Sequence, residues 1–194
     1  MEQLKELMAL KESDSEIQYT SFNDIKELNL TKVSSQTLKF INSAASDDES
    51  RISLNGILLQ DNYMVATDGR RMHVYIGGAF VYTTFGIAKT HVDKTSATCK
   101  FYDAEFPRFK RVIPEVPNNT EILTYYKCHG ILNFMYKLSR KGFVFCDDYI
   151  KDLVKYCISW KVYYTDNAET ACIFESLYKN LPVVYAVIMP MKVS

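Results

Sequence analysis

Catalytic or metal chemistry would first be sought at His73, His91 and His129, but their spacing suits neither. The three lie far apart in sequence, and none has the paired spacing of a zinc motif such as HExxH. Asp147-Asp148 stands before an apolar run and reads as a helix cap. Asp47-Asp48-Glu49 reads as the solvated end of another helix. Gly77-Gly78 lacks the further glycines of a phosphate loop, and no GxSxG nucleophile motif occurs. A nuclease assembled from scattered acidic residues is the remaining enzymatic reading, and no spacing supports it. The expectation is a protein without catalytic residues, metal or cofactor.

Binding chemistry has clearer candidates. Ala66-Thr67-Asp68-Gly69-Arg70-Arg71-Met72 puts two arginines directly after a tight turn, at the start of a strand. Phe106-Pro107-Arg108-Phe109-Lys110-Arg111-Val112-Ile113-Pro114 interleaves cations with apolar groups between two prolines. Val184-Tyr185-Ala186-Val187-Ile188-Met189-Pro190-Met191-Lys192 is a strand-like run that breaks at Met-Pro-Met-Lys. Each has a structural reading: a hairpin turn, a rigid linker, a last core strand. Together they have another, a slot with apolar walls and a cationic rim, for which the adaptable thioethers of methionine are suited.

The elements that must position these segments follow from composition and periodicity. The chain has 194 residues, 47% apolar and 13% aromatic, with 14 Tyr and 11 Phe, which favours sheet over a helical bundle. Formal net charge is zero, so composition does not indicate a strongly basic nucleic-acid binder. Five cysteines without a CxxC pair read as reduced thiols, and no apolar run approaches membrane-spanning length. No signal-peptide pattern opens the chain, and the expected location is the cytoplasm, with no membrane partner.

Residues 1–27 open with Leu4, Leu7 and Met8 at helical spacing and continue into a charged stretch. They read as a short amphipathic helix and flexible connector, an attachment segment rather than core. Residues 28–194 read as the main domain. Ser34 or Ser35 can cap a helix to about Ala45, with Leu38, Ile41 and Ala45 on one face. Strands are expected at Arg51–Leu59, Tyr63–Ala66, Met72–Ile76, Phe80–Phe85, Ala97–Tyr102, Ile122–Lys127 and Ile131–Leu138, and a turn at Arg140-Lys141-Gly142 before Phe143-Val144-Phe145. A second helix, capped by Asp147 or Asp148, turns Ile150, Leu153, Val154 and Cys157 inward and Lys151 and Lys155 outward. Strands at Lys161–Thr165 and Thr170–Phe174 and the terminal run close the chain. Helix-plus-meander at both ends suggests a pseudo-symmetric α+β domain, with two helices packed on antiparallel sheet.

The three binding segments also carry a resemblance, to the bacterial DNA polymerase III beta subunit, the sliding clamp. Ala66-Thr67-Asp68-Gly69-Arg70-Arg71 is similar to that family's Ala-Thr-Asp-Gly-His-Arg turn, and Leu54-Asn55-Gly56 to its Leu-Asn-Gly strand. Residues Phe106 to Pro114 resemble its Phe-Pro-x-Tyr-Arg-Arg-Val-x-Pro linker, and Tyr185 to Lys192 its C-terminus. Phe143 to Leu153 resemble its last helix and lead-in. The departures are length, the family's chains being about twice as long, and charge. Arg70 replaces the usual histidine, and Arg108 stands where an acidic residue is common.

The resemblance implies a DNA-clamp-like fold and a non-enzymatic processivity role. It implies a pocket for short apolar peptides of polymerases or other replication proteins, lined by Thr67, Gly69, Arg70, Arg71, Met72, Pro107, Arg111, Val112, Val187, Met189, Pro190 and Met191. Non-specific contact with duplex DNA would fall to Lys32, Lys39, Lys151, Lys155 and Lys161, whose other reading is ordinary solvated surface. A ring would require a homo-oligomer. The alternative is a monomeric adaptor or competitor that keeps the peptide pocket and does not encircle DNA.

Overall fold

Two apolar strands distant in sequence pair at the centre of the molecule, and the remaining elements are arranged around them. The computed structural model describes residues 2–13, 33–60, 62–77, 86–92, 97–102, 104–115, 117–125, 130–177 and 182–192. In chain order the elements are α1 (Glu2–Glu12), α2 (Ser35–Asn42), β1 (Ile57–Gln60), β2 (Tyr63–Thr67), β3 (Arg71–Ile76), β4 (Gly86–Val92) and β5 (Ala97–Tyr102). They continue with β6 (Asn119–Thr124), α3 (Gly130–Ser139), α4 (Asp147–Tyr156), β7 (Ser159–Tyr164), β8 (Cys172–Ser176) and β9 (Val184–Ile188). The strands form one antiparallel sheet in the order β5-β4-β1-β2-β3-β9-β8-β7-β6.

The sheet has an approximate two-fold relation about the β3/β9 pair. Outward from that pair, β2 matches β8, β1 matches β7, and β4 matches β6. The two halves reach this order differently. β6 comes before its helices and meander, whereas β4 comes after its own. The expected α+β class on antiparallel sheet is what the chain adopts, with four helices among the described residues where two were expected.

Alternation explains why both sheet faces are covered. Along β9, Val184, Ala186 and Ile188 enter a core with α2, α3 and α4, including Leu38, Ile41, Phe134, Leu153 and Trp160. Tyr185 and Val187 enter the opposite core with Met72, Val74, Phe106, Phe109 and Ile113. Helix α2 begins where Ser34 Oγ accepts from the Thr37 amide at 3.0 Å. Its neighbour α4 is tied to it where Gln36 Nε2 donates to Tyr156 O at 2.9 Å.

Several expectations are corrected. Residues Ile131–Leu138 are helical: Phe134 and Leu138 are buried one turn apart, with Ile131 and Met135 packed beside them. Exposed Leu132 and Tyr136 fill the gaps in that helical pattern and disguise it as a continuous strand. After the turn that ends at Gly142, Phe143 and Phe145 are buried ahead of α4. Cys146, not an aspartate, holds the cap position of α4, and Tyr156 takes the buried place expected of half-buried Val154. Arg51–Leu59 starts as a 3-10 turn at Ile52–Leu54, so only its end is strand. Strand β4 follows the Phe80–Phe85 segment, which lies outside the described residues.

Helix α1 is also part of the packing rather than a segment held apart from it. Leu7 and Leu10 are buried in the second core. Lys11 Nζ meets Glu115 at 2.6 Å, and Lys110 Nζ donates to Ser13 O at 2.8 Å. Leu7→Ala is expected to cost about 3 kcal/mol and lower Tm by about 6–12 °C. An unchanged calorimetric Tm would show that α1 does not support the core.

Candidate functional site

The Thr67–Arg71 turn is built by its own side chains. Thr67 Oγ1 donates to Arg71 O at 2.6 Å and accepts from the Gly69 amide at 3.0 Å. Asp68 Oδ1 accepts from the Arg70 and Arg71 amides at 2.8 and 3.0 Å. Gly69 has φ +93°, a backbone conformation that side chains rarely adopt, so the turn requires glycine there; the nearest atom to a Cβ would be the mobile end of Arg51, Nη2 at 3.0 Å.

Register then brings the tail to the turn. Arg71 pairs with Ile188 across β3 and β9, so both strands leave the sheet at one end, and Met189 N donates to Arg70 O at 3.0 Å. The proline-bracketed segment is brought to the same end through Phe106, Phe109 and Ile113, which are buried under the second face, while Val112 stays exposed.

The three segments meet around one cleft of about 100 Å³. Nine expected residues line it: Thr67, Gly69, Arg70, Arg71, Met72, Pro107, Val112, Val187 and Met189. Arg111, Pro190 and Met191 do not. The Met191 amide donates to Val144 O at 2.7 Å, which turns the tail away from the cleft toward the α4 lead-in. Sequence reasoning omitted Arg108 and Phe109, both within the Phe-Pro segment it had singled out; Phe109 is buried beneath the cleft and Arg108 is exposed at its edge.

Arg71 borders the cleft, yet its guanidinium is engaged elsewhere. Nε lies 3.1 Å from Asp68 Oδ2 and Nη1 lies 2.8 Å from Asp152 Oδ2. Nη2 donates to Ser43 O, and the group sits 4.3 Å from the Tyr149 ring centroid. Arg71 therefore ties the turn to α2 and α4, and the cationic role expected of both arginines falls to exposed Arg70.

No protein-family model matches the chain, and no curated protein matches it. Solved structures do. The DNA polymerase III beta subunit of Thermotoga maritima superposes with TM-score 0.62 at 15% identity, over 95% of this chain and 70% of that one. A DNA polymerase sliding clamp from Pseudomonas aeruginosa, solved with a ligand, gives 0.62 at 14% identity, over 90% and 70%.

The fold is that of a sliding clamp.

A further Pseudomonas aeruginosa sliding clamp, bound to griselimycin, matches with TM-score 0.59 at 13% identity, over 82% of this chain and 63% of that clamp. On this clamp fold the five expected DNA-facing lysines do not share one surface. Lys39 is exposed on α2, and Lys39 and Lys155 border a groove of about 370 Å³ between α2 and α4. Lys151 and Lys155 pair with Asp148 and Asp152 at 2.7 and 3.2 Å, exposed contacts of small energetic value. Lys161 belongs to the other side of the sheet. Its neighbours Trp160 and Val162 face the helices, while its ammonium lies 4.9 Å from the Tyr163 ring centroid in the opposite core. Strand alternation rules it out of the helix face. Lys32 lies outside the described residues.

Proposed function

We propose that this chain is a clamp-like accessory of DNA replication, non-enzymatic and cytoplasmic, which holds short apolar peptides of a polymerase or other replication protein in the β3/β9 cleft. The observation that carries this reading is the meeting of the Asp-Gly-Arg turn, the Phe-Pro segment and Met189 around one apolar hollow. Its volume suits a single Leu- or Phe-sized anchor, and exposed Val112 and Met189 offer a lip for a second. Burying each anchor contributes about 1.5–3 kcal/mol; with ordering costs subtracted, affinity falls on the order of micromolar. Met72, deeply buried in β3, forms floor rather than lip.

Duplex DNA would meet the α2/α4 face through Lys39, Lys151 and Lys155, weakly and without reading bases. A second reading, the monomeric adaptor, draws on the charge of that face: the two helices carry three lysines and three aspartates, so little net attraction for phosphate remains. Light scattering, with fluorescence anisotropy on a Leu/Phe-containing peptide, separates the two. A mass several times that of one chain together with peptide binding supports a ring; a monomer that binds peptide supports the adaptor. A chain that binds no such peptide in either state overturns both.

A further inference from the structure

The cleft has a charge pattern that its apolar lining does not need. Of its lining residues, Arg70, Arg71 and Arg108 are cationic and none is acidic. Arg71 is neutralised by Asp68 and Asp152, but Arg70 and Arg108 are exposed, with no side-chain hydrogen bond or ion pair among the described residues. A further guanidinium, that of Arg51, covers Gly69 and donates to the Asp68 carbonyl at 3.1 Å, and it is partly offset by Asp48, whose carboxyl it helps hold below the usual range. Asp68, the carboxylate belonging to this turn, directs its oxygens to the Arg70 and Arg71 amides and the Arg71 side chain, and not to the Arg70 or Arg108 guanidinium. With zero net charge on the whole chain, this is a local concentration of positive charge.

We infer that the occupant is an acidic peptide: an apolar anchor flanked by Asp or Glu side chains, with the anchor in the cleft and the carboxylates on Arg70 and Arg108. This rests on the peptide-binding reading above and adds the partner's charge. Guanidinium forks match carboxylates in geometry, and a cationic rim around an apolar hollow speeds encounter and rejects cationic competitors. A nucleic-acid backbone fits the site less well. It would satisfy the arginines but leave Met189, Val112 and the hollow beside them uncovered.

Three fluorescent peptides test this, sharing one Leu- and Phe-containing core and differing only in flanking Glu, Ser or Lys. At low salt the Glu-flanked peptide is expected to bind the full chain about fivefold tighter than the Ser-flanked one, and the Lys-flanked peptide about fivefold more weakly. High salt should compress these differences to less than about twofold. In the Arg70→Glu/Arg108→Glu variant the order of the Glu- and Lys-flanked peptides should invert. Equal binding of Glu- and Ser-flanked peptides overturns the charge assignment and leaves the cleft reading intact. Failure of every peptide to bind overturns both. If the double variant instead loses binding of a labelled DNA duplex and keeps its original peptide preference, the rim is a phosphate site and the inference is wrong.

Discussion

Met189→Asp is expected to weaken binding of a Leu/Phe-containing peptide by about thirty- to a hundredfold while leaving the fold intact. Met189 lines the cleft and is 43% exposed, so its thioether is available to a guest and contributes little to the core. A carboxylate there loses the apolar contact and must be desolvated when the anchor enters, together about 2–3 kcal/mol. Met191→Asp is the matched control. Its residue is 48% exposed, close to the value for Met189, but lies outside the cleft with its amide held by Val144. Anisotropy titrations should show it within about twofold of the unaltered chain. Equal losses from the two substitutions, or none from either, would remove the cleft from the account of peptide binding.

Acidification should destabilise the protein through His73. This residue on β3 is fully buried; its Nδ1 is 2.7 Å from Phe40 O and its ring stacks on Phe40 at 4.0 Å. The carbonyl can only accept, so Nδ1 carries the proton and Nε2 is left with no partner. Burial, reinforced by the Arg71 charge and only partly opposed by the Phe40 carbonyl, Asp152 and Asp68, holds the imidazole at about 4 against an ordinary 6.5. The folded value is depressed, so the contribution of the neutral ring is complete above the unfolded value. It is lost progressively as pH falls toward the folded one. Between pH 7 and pH 5 this amounts to about 2 kcal/mol. Urea unfolding should register that loss, and His73→Leu should flatten it while costing about 1 kcal/mol at neutral pH through the missing hydrogen bond. The same pH slope in both proteins would show that another group controls acid stability.

These two residues also show how unevenly the sequence discloses its own structure. Met189 was legible because a proline and two methionines interrupt an apolar strand, a pattern that local chemistry alone makes unusual. His73 was not. As an isolated histidine in a strand it gives no sign that α2 will place a phenylalanine ring and a carbonyl against it, and both come from more than thirty residues away. Arg70 and Arg71 are adjacent and chemically alike, yet one is exposed and the other bonded to Asp68, Asp152 and Ser43. Nothing in their order distinguishes them; the approach of α4 does.

Periodicity was informative where one face is buried and misleading where apolar residues also face solvent. Helix α2 could be read from Ser34 and the Leu38/Ile41 spacing, because capping and burial leave separate local marks. Helix α3 could not, because exposed Leu132 and Tyr136 fill out its apolar stripe. Lys161 was misplaced for the complementary reason: a strand sends successive side chains to opposite faces, and a shift of one residue in phase moves a lysine from one surface to the other.

The amino-acid order alone determined the turn at Gly69, the Ser34 cap of α2, most of the strands and the three segments that form the cleft, all of which depend on residues within a few positions of one another. Only the tertiary structure decided that β3 pairs with β9, that Met191 turns away while Met189 stays, that α1 completes the second core, and that Arg71 is spent on α4. Those outcomes depend on which distant surfaces exclude water together, a property of the assembled sheet that no short stretch of chain contains.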